Sequence, residues 1–230
     1  MEHLVDVVLM FEGDRQHVFR MLRGIKNRYG STSELGLFAM EGDGLVVVED
    51  PSRALLAERP TESSGSAVVA AVEGSRPLLV EVQALLVRSF GTPRRVVSGI
   101  DPHRVALVLA VLERHLGVRV SDMDAYFKIT GGVSIDDPAL DLGILAAALS
   151  SLSGRIIDPE WVVMGEVGLT GELRRVARMG ERLREAEQMG FKRAIVPGRV
   201  SEILPGLTVV SCEGAKDAVK RLGIMAASEQ

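Results

Sequence analysis

The period of apolar and polar positions changes along the chain, and each change marks an element. Residues 2–11 (Glu-His-Leu-Val-Asp-Val-Val-Leu-Met-Phe) are rich in β-branched and apolar side chains and predict a buried strand ending at Glu12-Gly13-Asp14. From His17 to Asn27 two templates fit: Val18, Leu22 and Ile25 recur at helical spacing, whereas Phe19-Arg20-Met21 alternates as a strand does. The turns that follow favour the strand. Tyr29-Gly30-Ser31 leads into a strand over Glu34–Met40, and Glu41-Gly42-Asp43-Gly44 leads into another at Leu45–Val48. These hairpins do not make a complete domain, and a chain that opens on a core strand reads as a piece of a longer one.

Between Glu58 and Gly65 the apolar period lapses into Glu-Arg-Pro-Thr-Glu-Ser-Ser-Gly, the composition of a linker. Ser66–Glu73 and Pro77–Val87, separated by Gly74-Ser75-Arg76, then predict an antiparallel pair. Asp101-Pro102 opens a helix in which Val105, Val108, Leu109, Leu112 and Leu116 share one face, and Gly117 closes it. Tyr126–Thr130 reads as a short strand running into Gly131-Gly132-Val133-Ser134-Ile135-Asp136-Asp137-Pro138. The helix Pro138–Ser153 that follows is apolar on nearly every side and must be covered all round. A strand at Trp161–Met164, a polar turn, an amphipathic helix carrying Met179, Leu183 and Ala186, a strand at Ala194–Val196 and a final strand–helix pair through Val209 and Leu222 complete the pattern. The fold class is α+β (mixed α/β), divided into hairpins over 1–57, a linker at 58–64 and a larger domain over 65–230.

Composition narrows the chemistry. The 230 residues are 47% hydrophobic and 25% charged, enough to bury a core, while the 4% aromatic content leaves stacking platforms for single-stranded nucleic acid scarce and argues against a strand-stacking role. Net charge is −4, which leaves room only for a local basic patch. Arginine greatly outnumbers lysine, a bias that phosphate contacts or the composition of the source would both produce. The one cysteine, Cys212, excludes an internal disulfide and follows an apolar run, as a structural thiol would; the histidines His3, His17, His103 and His115 have no metal-ligand spacing. No signal-peptide pattern and no apolar run near the roughly 18 residues of a membrane helix is present, so the chain reads as cytoplasmic, without a membrane partner.

The paired glycines, the Asp-Asp-Pro helix start and Gly165-Glu166-Val167-Gly168-Leu169-Thr170-Gly171-Glu172 outline a loop and buried helix at which a nucleophile or an anion could sit. These stretches resemble the proteolytic domain of the Lon protease family, of the ribosomal protein S5 domain 2-like fold. In that family a serine in a Lys-Asp-Gly-Pro-Ser-Ala-Gly run is the nucleophile and a lysine after Gly-Glu-Val its base, because a serine hydroxyl needs a neighbouring base near neutral pH. Counted from Gly154 and from Gly165, the two positions here hold Ala139 and Gly180. The resemblance therefore implies the peptidase architecture without its dyad. Ser134, Ser150 and Ser151 read as capping or surface serines, and Asp136, Asp137 and Asp141 as acids that complement a helix dipole.

Lys26-Asn27-Arg28-Tyr29-Gly30, Arg76-Pro77-Leu78-Leu79-Val80-Glu81 and Pro93-Arg94-Arg95 together resemble the C-terminal part of the bacterial RadA (Sms) family of DNA-repair proteins, with Tyr29 where that family usually has Phe. By this resemblance the hairpins come from the end of a RecA-like ATPase core, and Lys26 and Arg28, supported by Asn27, act on the ATP of a neighbouring subunit in a hexameric ring. The chain has no phosphate-cradling Gly-x-x-x-x-Gly-Lys-[Ser/Thr] run and alone should not hydrolyse ATP; ATP, Mg and a four-cysteine zinc finger would belong to the longer protein. The implied role is that of ring scaffold and sequence-independent DNA-binding domain in a branch-migration helicase, with double-stranded or branched DNA, further copies of itself and RecA as partners. Arg94 and Arg95, then Arg88, Arg174, Arg175 and Arg178, are the candidate phosphate contacts. Two alternatives are a Lon-like serine peptidase with an atypical dyad and the Lon-like domain of magnesium-chelatase-like AAA+ proteins such as ComM.

Overall fold

The computed structural model describes residues 4–13, 18–42, 44–200 and 203–225; His3, Asp14, His17 and Asp43 lie outside them. The hairpins form a four-stranded antiparallel sheet, β1 (Val7–Glu12), β2 (Phe19–Asn27), β3 (Leu35–Glu41) and β4 (Gly44–Val47), in sequential order. The ambiguous segment after residue 17 is thus a strand. Its strict alternation sends Met21, with its cross-strand partner Leu37, to one face, where both are buried in the common core. On the other face Phe11 meets Phe38 with ring centroids 5.9 Å apart, and Leu9, Phe11 and Val47 are exposed. The expected buried first strand is therefore corrected: β1 lies at the sheet's edge, and among the described residues nothing covers its outer side.

A short helix, α1 (Pro51–Leu56), capped by the Asp50 carboxylate on the Arg53 amide, was not foreseen. It packs against the larger domain: buried Ser52 Oγ accepts from the Leu79 amide at 3.0 Å and donates to Glu185. The change of layer thus comes ahead of residues 58–64.

The larger domain is built on a mixed seven-stranded sheet of β5 (Ser66–Glu73), β6 (Arg76–Arg88), β7 (Arg95–Ser98), β8 (Met123–Ile129), β9 (Trp161–Val163), β12 (Arg193–Pro197) and β13 (Thr208–Cys212), ordered β13-β12-β9-β5-β6-β8-β7. β5, β6 and β8 are antiparallel; the outer pairs are parallel. β7 is the strand that the sequence did not reveal, because its exposed Arg-Val-Val-Ser lacks a run of apolar residues. A two-stranded hairpin, β10 (Glu166–Val167) with β11 (Leu173–Arg174), takes the place of the expected polar turn.

α2 (Pro102–Leu116) starts at Asp101, whose carboxylate accepts from the His103 amide, and ends at left-handed Gly117. α3 (Leu140–Ser153) is buried along most of its length, covered by β5, β6 and α2. α4 (Met179–Gln188) and α5 (Ala215–Arg221) follow. The mixed α/β sheet and its buried central helix agree with the Lon-like fold class expected from the sequence.

Two glycines set how closely the layers approach. A Cβ at Gly143 of α3 would come within 2.1 Å of Val69 Cγ2 on β5, so the helix lies directly on the sheet. Gly131, at φ 80° in the 3-10 turn Thr130–Gly132, leaves room for Leu55 of α1 and Phe19 of β2, which a Cβ would meet at 2.7 and 3.3 Å. Gly131 thus serves closure between the two sheets.

Gly143→Ala is expected to destabilise the fold by about 1–3 kcal/mol through overpacking against Val69. Urea unfolding would show it as a lower midpoint at an unchanged m-value.

Candidate functional site

Asp-Pro at 137–138 begins the entry to α3, and Ala139, fully buried, is its N-cap residue; Gly180 lies in the first turn of α4. Neither can act as nucleophile or base. Close to these positions the structure places a pair of buried charges. Arg182 Nη1 lies 2.7 Å from Asp137 Oδ2, with both side chains only 3% exposed. Every remaining partner is backbone: Arg182 donates to Ala70 O at 2.7 Å and Ala177 O at 2.8 Å, and Asp137 accepts from the Val72 amide at 2.5 Å and the Ala139 amide at 2.9 Å. The segments that carry the two dyad positions therefore touch, and a buried ion pair anchored to backbone holds them. A guanidinium stays protonated and cannot serve as a base.

The other acids are also committed. Asp141 takes 2.8 Å from Arg104 and 3.1 Å from the Val167 amide; burial pushes its carboxyl up from the usual range, and Arg104 pulls it down. Asp136 is exposed and 3.6 Å from Arg104. Ser150 is not the surface or capping serine expected: it is buried, its Oγ accepting from the Gly65 amide at 2.9 Å and donating to Arg155 O. Ser151 Oγ accepts from the Leu86 amide at 3.0 Å. Both hydroxyls hold strands to α3. Cys212 is buried and its thiol is pushed up to about 12, chiefly by burial. Among the described residues no cluster of His, Cys, Asp or Glu could hold a metal, and no helix is long and apolar enough to cross a membrane.

Gly165–Glu172 is a built turn. Gly168 donates to Glu172 O at 2.9 Å, and the Glu172 carboxylate accepts from the Thr170 hydroxyl and amide and pairs with Arg174. The Thr170 hydroxyl first, then the residue's own backbone amide and Arg174, hold that carboxyl down at about 2.

Lys26–Gly30 occupies the end of β2 and the turn beyond it. Arg28 Nη1 meets Asp6 Oδ1 at 3.2 Å, Tyr29 OH donates to the same carboxylate at 3.3 Å, and Lys26 donates to Val5 O at 2.8 Å. Asn27 Oδ1 accepts from the Tyr29 amide at 3.1 Å and shapes the turn. The group is brought together and projects outward: the Arg28 side chain is 71% exposed and Tyr29 78%. An ion pair so exposed is weak and exchangeable.

The candidate arginines separate into two places. Arg174 pairs with Glu172, Arg175 donates to Arg199 O, and Arg178 pairs with Glu181 and donates to Gly74 O. Arg95 is bound to the carbonyls of Met123 and Val120, and holds the loop before β8 in place. Arg88, at the end of β6, and Arg94 carry guanidiniums with no hydrogen bond or ion pair among the described residues. Arg119 shares that end of the domain and is likewise exposed and unpaired. Sequence reasoning passed over it because a lone arginine in a short loop carries no motif.

A protein-family profile described as "Subunit ChlI of Mg-chelatase" matches residues 131–199. Curated relatives named "DNA repair protein RadA" include those of Bacillus subtilis, 51% identical over 198 residues, and Halalkalibacterium halodurans, 50% over 200, each match spanning 86% of this chain. That of Listeria monocytogenes is 45% identical over 225 residues, 96% of the chain. The chain covers 43%, 44% and 49% of these relatives' lengths, respectively.

Arg182→Met, which leaves Asp137 charged and buried, is expected to cost about 3–5 kcal/mol in denaturant unfolding. The Glu172 carboxyl is expected to titrate near 2 by NMR. Its value lies below that of an unfolded-chain glutamate, so its contribution to stability is complete above the unfolded value and is lost as pH falls through about 2. Thr170→Ala should move the midpoint upward.

Proposed function

Because the chain is homologous to the RadA DNA-repair proteins over most of its length, we propose that it is the module of a longer DNA-repair protein that keeps a Lon-like fold without peptidase chemistry and binds DNA irrespective of sequence. The observation that carries the DNA-binding role is the end of the large sheet where Arg88, Arg94 and Arg119 stand exposed, their guanidiniums making no hydrogen bond or ion pair among the described residues. Guanidiniums on loops reach phosphate oxygens without reading base edges. The peptidase-inactive state is supported by Ala139, Gly180 and the buried Arg182–Asp137 pair.

In the longer protein the first 57 residues are the last strands of a RecA-like ATPase core. The small sheet supports this: its inner face packs on the larger domain through Met21 and Leu37, while Leu9, Phe11 and Val47 present an apolar outer face of the kind that a further layer covers. Lys26 and Arg28 then act in trans on a neighbouring subunit's ATP in a hexameric ring driving branch migration. ATP and Mg, held by the longer protein, would supply the phosphate on which charge develops, and Arg28, on an exposed turn and lightly held by Asp6, would be the residue to stabilise that charge. The zinc finger, which needs four cysteines, would belong to the longer protein, since this chain has one cysteine. RecA is a further partner of the whole assembly.

Duplex DNA binding by this chain is expected to weaken steeply with salt, and Arg88→Ala/Arg94→Ala/Arg119→Ala should flatten the log–log salt slope by about 0.9 for each phosphate no longer neutralised. Undetectable binding at low salt would leave the scaffold role alone, and an unchanged slope would move the DNA surface elsewhere. In the longer protein, Arg28→Ala should lower ATP hydrolysis by about 10³-fold or more while leaving DNA binding by this module intact.

A further inference from the structure

The loop that joins β6 to β7 runs Ser89-Phe90-Gly91-Thr92-Pro93-Arg94, and at its tip Phe90 is 105% exposed, the most exposed large hydrophobic side chain among the described residues. The loop is held on both sides. Ser89 donates its amide to Asp122 O at 3.1 Å, and its Oγ accepts from the Gly91 amide at 3.3 Å. On the far side the Arg94 amide donates to Asp124 Oδ1 at 2.8 Å and Arg94 O accepts from Ala125 at 2.9 Å. A turn tied down in this way presents the ring outward at little further cost in conformational entropy.

The chain on either side of the ring is basic. Arg88 precedes it by two residues, Arg94 follows by four, and Arg119 stands on the loop before β8; among the described residues none of the three guanidiniums makes a hydrogen bond or ion pair, while the charges of Arg94 and Arg95 act on the Asp124 carboxylate. Of the nearby acids, Asp124 is occupied by the Arg94 amide, which with its other neighbours holds its carboxyl below the usual range, and Asp122 is exposed. An aromatic face flanked by free guanidiniums matches a nucleobase flanked by phosphates, since any base can stack and the contact needs no base-specific hydrogen bond. The scarcity of aromatics argues against a strand-stacking role; the one fully exposed ring at Phe90 departs from that expectation, since a wedge needs a single ring.

We propose that Phe90 is a wedge that stacks on an unpaired base, so that this end of the module prefers single-stranded or forked DNA to duplex. The inference rests on the DNA-binding role proposed for this module and adds to it the class of DNA recognised. The test measures binding of the 230-residue chain to a forked DNA carrying 2-aminopurine at the junction and to a plain duplex of the same length. The chain is expected to bind the fork more tightly and to change the 2-aminopurine emission. Phe90→Ala should lower fork affinity by roughly tenfold, remove the emission change and leave duplex affinity and thermal stability as they were; Phe90→Trp should restore the preference. Fork preference retained by Phe90→Ala would overturn the wedge while leaving DNA binding in place. Binding of neither DNA at low salt would overturn DNA binding itself, and the wedge with it. A change in sedimentation mass with Phe90→Ala would assign the ring to a protein contact instead and overturn the wedge.

Discussion

The fold turns on one buried ion pair. Arg182 and Asp137 bring together three separate parts of the chain: the end of β5 through Ala70 and Val72, the entry to α3 through Ala139, and the start of α4 through Ala177. Two charges taken out of water lose several kcal/mol of hydration each, and their attraction repays this only when the remaining lone pairs and N–H groups are satisfied. Here backbone groups bind Nε and Nη1 of the guanidinium and both carboxylate oxygens, so the pair can be kept only if all three segments hold their positions. That makes it a positional constraint more than a source of stability. It also determines what this end of the domain can do. A Ser–Lys dyad needs a lysine that can give up its proton, whereas a guanidinium locked to a carboxylate is permanently charged and fixed in place.

The second constraint is the seam between the sheets. Arg23 of β2 reaches across to Glu73 at the end of β5, to Glu12 of β1 and to Ser134 O, while the Ser75 amide donates to Ser33 O. Next to these polar links, Gly131 lets Phe19 and Leu55 close in. The two sheets thus share one hydrophobic core through Met21, Leu37 and Leu55.

Much of this was legible in the sequence because burial leaves a period. The α2 face, the all-apolar α3, the β5–β6 pair and the hairpins each showed the spacing that their environment demands, and Asp101 and Gly117 marked the ends of α2. Partnership was not legible. Asp137 looked like a helix-terminus acid, and only the packing of α4 shows that its counter-charge comes from Arg182, far away in sequence. Arg95 looked as available as Arg94, yet it spends its guanidinium on two carbonyls. Ser150 looked like a surface hydroxyl because its polar character said nothing of Gly65 and Arg155 lying opposite. β1 failed in the other direction: its apolar composition called for burial, but as an edge strand its outer side is open.

The same distinction locates function. A chain of net charge −4 has no general attraction for a polyanion, so any such attraction must come from guanidiniums that the protein does not itself neutralise. Most arginines in this fold are engaged internally: Arg23, Arg104, Arg182 and Arg193 are paired with carboxylates, and Arg95 and Arg175 are bound to carbonyls. Those bonds are structural, and the groups that make them have little left to give a ligand. Among the described residues the guanidiniums of Arg88, Arg94, Arg114, Arg119 and Arg199 are exposed and make no hydrogen bond or ion pair, and three of them, Arg88, Arg94 and Arg119, lie at the β6–β7 and α2–β8 loops of the large sheet. Screening confines the reach of such a patch to about 8–10 Å at physiological ionic strength, so the overall acidity elsewhere does not cancel it. The interior around Ala139 is closed by its own ion pair, and the charges that remain free to meet another molecule are at the surface.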